Sequence, residues 1–226
     1  MSRKPPTPRA GKKRVRILLV DDHPLVRERL AEIISRETDL SVCGEAEDRH
    51  EALAAITATL PDLVIIDLAL KNSDGLELIK DIHPRWPKIA MLVVSMHDES
   101  LYAERVVRAG ALGYITKQEA TRNILMAIRR VLAGDLYLNE KIACHIISRL
   151  TSHTASASAT PAELLSDREL KVFDLTGRGL NITEIAGQLH IAVKTVETYR
   201  ARIKDKLKLK DSSELLQLAI SWNQRR

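Results

Sequence analysis

Leu63-Val-Ile-Ile-Asp67 decides the fold: four large apolar residues in succession, then a carboxylate. A run with no polar face suits a strand covered on both sides, as in a parallel sheet. Three more runs share the pattern. Val15-Arg-Ile-Leu-Leu-Val20 ends on Asp21-Asp22, Ile89–Val94 ends on Ser95, and Gly113-Tyr-Ile-Thr116 is followed by Lys117. Lying parallel, all four would open at one carboxyl edge, where open α/β sheets place their active sites. Three carboxylates, a hydroxyl and a lysine suit Mg²⁺-assisted phosphoryl transfer to a carboxylate.

Helical periodicity fills the intervals, with strands expected at 15–20, 41–46, 63–67, 89–94 and 113–116. Helices are expected at 24–36, 48–58, 74–83, 101–109 and 120–133. Short loops between five β-α units imply a doubly wound five-stranded parallel sheet of flavodoxin-like order 2-1-3-4-5. The first and third strands are then neighbours, which gathers Asp21, Asp22 and Asp67. Asp67, ending the central strand before a long loop, is the expected nucleophile. Asp22, Asp67 and the Ala69 backbone carbonyl would hold Mg²⁺, while Asp21 orients or charge-balances it. Ser95 would hydrogen-bond one phosphoryl oxygen and Lys117 neutralise another. No Walker motif points to ATP.

Charge divides the chain. Residues 1–14 carry six basic and no acidic side chains, residues 15–150 carry 17 basic and 21 acidic, and residues 165–226 carry 12 basic and 8 acidic. A nucleic-acid partner is therefore expected for the last part. No run reaches the roughly eighteen apolar residues of a membrane span. The basic, proline-containing start has no apolar stretch after it, so cytoplasmic residence is the expectation. Cys43 and Cys144 have neither the number nor the spacing of a metal site, and read as buried free thiols. Four regions result: a basic disordered leader at 1–13, the α/β domain at 14–135, a helix and flexible linker at 136–163, and a helical domain at 164–226.

In that last region Ser166 with Glu169, Asn181 with Glu184 and Asp211 with Glu214 have capping-box spacing. They open helices at about 167–176, 182–189 and 212–222, with another at 193–207. The short link His190–Ala192 makes the middle pair a helix-turn-helix. Val196, Tyr199, Ile203 and Leu207 form the buried stripe of its second helix. Between Lys194 and Lys210 stand seven basic and two acidic residues, dense for a merely solvated face.

The quartet Asp21-Asp22, Asp67, Ser95 and Lys117, in that strand order, closely resembles the receiver domain of bacterial two-component response regulators. The resemblance implies that Asp67 takes phosphate from a sensor histidine kinase or a small phosphodonor with Mg²⁺. It also makes Tyr114 the switch aromatic and His23 a structural residue rather than the acceptor. Two departures stand out. Leu70-Lys71 replaces a common Met-Pro pair, and Gln118 replaces the proline that usually follows the lysine.

Leu165-Ser-Asp-Arg-Glu-Leu, Gly179-Leu-Asn-Ile-Thr-Glu-Ile-Ala and Lys194-Thr-Val-Glu-Thr-Tyr resemble the LuxR-type, NarL-like DNA-binding domain. By position this makes Glu197, Thr198 and Ala201 base-facing and puts Lys194, Thr195, Arg202 and Lys206 at phosphates. Leu215, Leu216 and Ala219 fall on the family's dimerisation helix. Ala192 stands where a capping serine is usual. The whole then reads as a transcription factor whose homodimer binds double-stranded promoter repeats, with RNA polymerase a further partner. The acidic receiver would cover part of the basic recognition surface until Asp67 is phosphorylated. It is not an enzyme beyond its own phosphorylation and dephosphorylation. The competing reading is a phosphorylation-independent regulator whose receiver is a dimerisation scaffold.

Overall fold

The structure, a computed structural model, describes residues 14–71, 73–96, 99–140, 142–144 and 161–224. The leader and most of the 136–163 helix and linker lie outside these; residues 142–144 are helical. Alternating elements run β1 (Val15–Val20), α1 (Pro24–Ser35), β2 (Leu40–Ala46), α2 (Arg49–Thr59) and β3 (Leu63–Ile66). After a small hairpin of β4 (Ala69–Leu70) and β5 (Ser73–Asp74) come α3 (Gly75–Arg85), β6 (Ala90–Ser95), α4 (Glu99–Arg108), β7 (Gly113–Thr116) and α5 (Lys117–Leu132). The parallel sheet has the order β2-β1-β3-β6-β7, with Val20 beside Ile66 and Ile66 beside Val93. That is the doubly wound order expected from the sequence.

Alternate residues of each strand feed two cores. Ile17, Leu19, Leu63, Ile65, Leu92 and Val94 pack beneath α1 and α5, while Leu18, Val20, Val64, Ile66, Met91 and Val93 face the opposite side. Local chemistry starts the helices. Asp48 caps α2 and Asp74 caps α3 through the backbone N–H groups of Glu51 and Leu76, and Thr116 forms a capping box with Glu119. The α5 helix therefore begins at Lys117, three residues before its expected start. Gln118 continues it, and there is no cis peptide among the described residues.

The C-terminal part is helical: α6 (Pro161–Leu164), α7 (Asp167–Gly177), α8 (Ile182–Gln188), α9 (Val193–Leu207) and α10 (Ser212–Gln224). The capping boxes of Ser166–Glu169 and Asn181–Glu184 are both formed. Asp211 caps α10, although Glu214 reaches back to the Lys210 N–H instead. The α7 helix crosses α10 so closely that a Cβ on Gly177 would lie 2.4 Å from the Ala219 carbonyl oxygen. Every residue from Glu169 to Thr176 is buried. Such a helix has no solvent face: α9 and α10 take one side and the receiver takes the other. The second apolar core of the sheet accordingly runs on into Leu170, Phe173 and Leu175. Cys43 is half-buried and Cys144 is exposed, so burial of both thiols does not hold.

Candidate functional site

The neighbouring ends of β1 and β3 bring Asp21, Asp22 and Asp67 together, and α5 delivers Lys117 at its first turn. The Lys117 Nζ sits 2.6 Å from Asp21 and 2.7 Å from Asp67. Asp21, Asp67 and Ser95 are buried. One ligand atom each from Asp21, Asp22, His23 and Asp67 falls within 4.8 Å of the others. Asp22 Oδ1 is buried without a hydrogen bond; His23 Nδ1 stands 2.6 Å away but outside hydrogen-bonding geometry. A buried carboxylate oxygen left in this way beside two further carboxylates suits a hard divalent cation.

Burial, the largest influence on Asp67, pushes its carboxyl above the ordinary carboxylate range, and the Lys117 charge opposes that without cancelling it. For Lys117 burial acts downward, but Asp67 and Asp21 outweigh it and raise the ammonium above its usual value.

Backbone approach shapes the acceptor loop. A Cβ on Gly75 would lie 2.0 Å from the Asp67 carbonyl oxygen, so only glycine lets α3 start there. The Leu68 carbonyl accepts from the Gly75 N–H at 3.1 Å. It also accepts from Lys171 Nζ at 2.8 Å. Lys171 belongs to α7, in the other domain.

The helical domain thus docks at the mouth of the acidic site through crossed ion pairs. Receiver Asp74 meets Lys171 at 3.3 Å and Arg168 at 3.4 Å. In the opposite sense Asp167 pairs with Arg105 and, at 2.7 Å, with Lys80. Arg105 also donates to the Leu165 carbonyl at 2.6 Å. His190, in the helix-turn-helix turn, has Nε2 4.0 Å from Asp22. Between the domains is a cavity of about 570 Å³, lined by Asp22, Asp67, Ser95 and Lys117 on one side and Arg168, Lys171 and His190 on the other. Tyr102 and Tyr114 are buried in the core that also takes in Leu170 and Phe173 of α7. The Tyr102 phenol is raised well above its ordinary value, by burial first and then by the charges of Asp174 and Asp74.

Docking corrects one expectation. The receiver covers α7 and the helix-turn-helix turn, not the recognition helix, and Glu197, Thr198, Ala201, Lys194 and Arg202 are exposed on α9 with Thr195 half-buried. Lys194 and Glu197 pair with each other at 3.2 Å, and Lys206 is bonded to Glu169 at 2.6 Å. Ala192 caps α9 without any side-chain hydrogen bond. Of the residues expected on a dimer face, Leu215 and Ala219 are wholly buried inside the domain; only Leu216, 39% exposed, points outward. Their burial follows from the tight α7–α10 crossing.

Sequence reading did not single out Asp74, Lys80, Arg105, Asp167, Arg168 or Lys171. Each resembles an ordinary surface or first-turn charge until both faces of α7 are seen to be covered.

Comparison with known proteins agrees with both halves. Residues 17–129 match the model of the response regulator receiver domain, and residues 163–219 match that of the bacterial regulatory proteins of the luxR family. The oxygen regulatory protein NreC of Staphylococcus haemolyticus is 32% identical over 210 residues, 91% of this chain and 97% of that one. A two-component response regulator of the LuxR family from Aurantimonas sp. SI85-9A1 is 35% identical, with a TM-score of 0.56, over 62% of this chain and all of that one. RcsB of Salmonella enterica, solved bound to promoter DNA, shares the fold with a TM-score of 0.60 at 23% identity over 92% of this chain and all of that one. No helix among the described residues is long and apolar enough to cross a membrane. With a receiver sheet carrying the acidic quartet, a helix-turn-helix behind it and relatives matched almost end to end, this chain belongs to the LuxR-family response regulators.

Proposed function

We propose that Asp67 accepts a phosphoryl group from a sensor histidine kinase, and that this modification releases the helical domain to bind promoter DNA as a homodimer. The observation that carries the reading is the Lys171 ammonium of α7 on the Leu68 carbonyl, one residue from the acceptor. In the transfer, an Asp67 oxygen attacks phosphorus as the bond to the donor imidazole nitrogen breaks, and the electron pair leaves with that nitrogen. Asp22, Asp67 and the Ala69 carbonyl would hold Mg²⁺, which supplies charge neutralisation for the transferred group. Lys117, now shared between Asp21 and Asp67, would pair with a phosphoryl oxygen, and Ser95 would donate to another.

The docked domain is hindered although its base-facing side chains are exposed. Helix-turn-helix proteins lead into the major groove with the start of the recognition helix. Here the turn before that start abuts the receiver beside Asp22, whose charge repels phosphates. Phosphorylation works as a switch only through a difference in phosphate affinity between docked and released states.

The test is DNA binding by the full chain at fixed salt, with and without beryllium fluoride and Mg²⁺, on sites selected from random DNA. Tighter binding by treated wild type, absent in Asp67→Ala, supports the proposal. Equal binding in both states would refute it and leave the receiver as a dimerisation scaffold.

A further inference from the structure

Arg27 is a half-buried cation that phosphoryl transfer does not use. From α1 its fork reaches three acceptors: the Asp21 carbonyl from Nη1 at 2.6 Å, Glu45 from Nε at 2.9 Å and Glu47 from Nη2 at 3.2 Å. Its side chain is only 11% exposed. The carbonyl is the significant contact, because it belongs to the peptide joining Asp21 to Asp22. The Asp21 N–H is fixed as well, donating to the Ala46 carbonyl at 3.1 Å. Asp21 is therefore pinned on both sides, and the pinned peptide sets where the Asp22 carboxylate begins.

The network continues past Arg27. The second oxygen of Glu47 lies 3.4 Å from Lys71 Nζ, in the turn of the acceptor loop. Lys71 is half of the departure from the family's Met-Pro pair. A single path, Asp21 carbonyl to Arg27 to Glu47 to Lys71, ties the metal-binding loop after β1 to the acceptor loop after β3. Its two links differ in kind. The Arg27 fork is half-buried and planar, whereas Lys71 is 59% exposed and its pairing is weak and salt-sensitive.

We propose that Arg27 is a positioning residue for the cation site: by holding the Asp21–Asp22 peptide it keeps the Asp22 carboxylate, whose Oδ1 is buried without a hydrogen bond, within ligand distance of Asp21 and Asp67. This rests on the reading of Asp22 and Asp67 as Mg²⁺ ligands. A lysine cannot substitute, because one ammonium does not span three acceptors in the plane of a guanidinium. A purely structural brace between α1 and β2 would instead act on stability and leave metal affinity alone.

Mg²⁺ titration by calorimetry and the melting temperature without metal separate the two, in the full chain. Arg27→Lys should melt within a few degrees of wild type yet bind Mg²⁺ about tenfold more weakly. Lys71→Met should weaken binding slightly at low salt and not at all at high salt. At saturating Mg²⁺ the response of Arg27→Lys to beryllium fluoride should return to the wild-type level. Wild-type Mg²⁺ affinity in Arg27→Lys overturns this assignment alone. Wild-type protein that binds no Mg²⁺, or binds it equally after Asp22→Asn, overturns both this assignment and the metal reading beneath it.

Discussion

Replacing Lys171 by methionine should loosen the docked state and raise DNA affinity without any phosphorylation. The lysine is 3% exposed, donates to the Leu68 carbonyl at 2.8 Å and lies 3.3 Å from Asp74. A hydrogen bond from a charged donor contributes about 1.5–3 kcal/mol. Methionine keeps most of the apolar stem in place, so packing changes little. Asp74 loses one of its two cations, but Arg168 stays at 3.4 Å, which averts the roughly 3–5 kcal/mol cost of stranding a buried charge. About 2 kcal/mol is the balance, a shift of about 30-fold toward the released state. Fluorescence anisotropy on a selected DNA site should show tightening of up to that factor in unphosphorylated protein, with a smaller gain on adding beryllium fluoride. Small-angle scattering should show a larger radius. Asp74→Asn should act in the same direction, and the double variant should add less than the sum. Unchanged DNA affinity and unchanged radius in Lys171→Met would refute the reasoning, because they would mean that the contact does not hold the domains together.

Three further outcomes are expected. Ala192→Ser should supply the missing cap of the recognition helix and stabilise the helical domain by about 1 kcal/mol, read as a rise in melting temperature. Leu215→Ala should destabilise that domain by about 2–5 kcal/mol because the side chain is fully buried, whereas Leu216→Glu should leave the melting temperature nearly unchanged and weaken dimerisation in sedimentation. Mg²⁺ binding should weaken on acidification from a higher pH than a solvated aspartate would give. Burial raises the Asp67 pKa, so the carboxylate is protonated earlier as the pH falls, and calorimetry over a descending pH series will register this.

The sheet was legible because four of its five strands declare themselves locally: an apolar run such as Leu63–Ile66, then a residue with chemistry at its end. Parallel order converts four such ends into one cluster, so Asp21, Asp22, Asp67, Ser95 and Lys117 needed no long-range information beyond the topology. The early start of α5 was hidden because the pattern of apolar residues does not reveal a cap, and Thr116 with Glu119 decided it. The interdomain contacts were not legible at all. Lys171 sits beside the apolar positions Leu170, Val172 and Phe173, where a single charge ordinarily marks a solvated edge. Its burial depends on a receiver surface about a hundred positions earlier in the chain, and no periodicity in α7 encodes that surface. The same holds for Ala219, whose small size reads equally well as a dimer seam or as a crossing point for α7.

The doubly covered α7 has a thermodynamic consequence. A long polar tether invites the view that two domains unfold independently, each with its own midpoint. One helix that fills the floor of the DNA-binding domain and also closes the second core of the sheet makes the two transitions share a common element. Melting of the unphosphorylated protein should then be a single cooperative event, splitting into two only when the domains part. Exchanging effector domains between relatives would sever that shared core even where the cut falls cleanly within the tether. The boundary drawn along the chain is not a boundary in free energy.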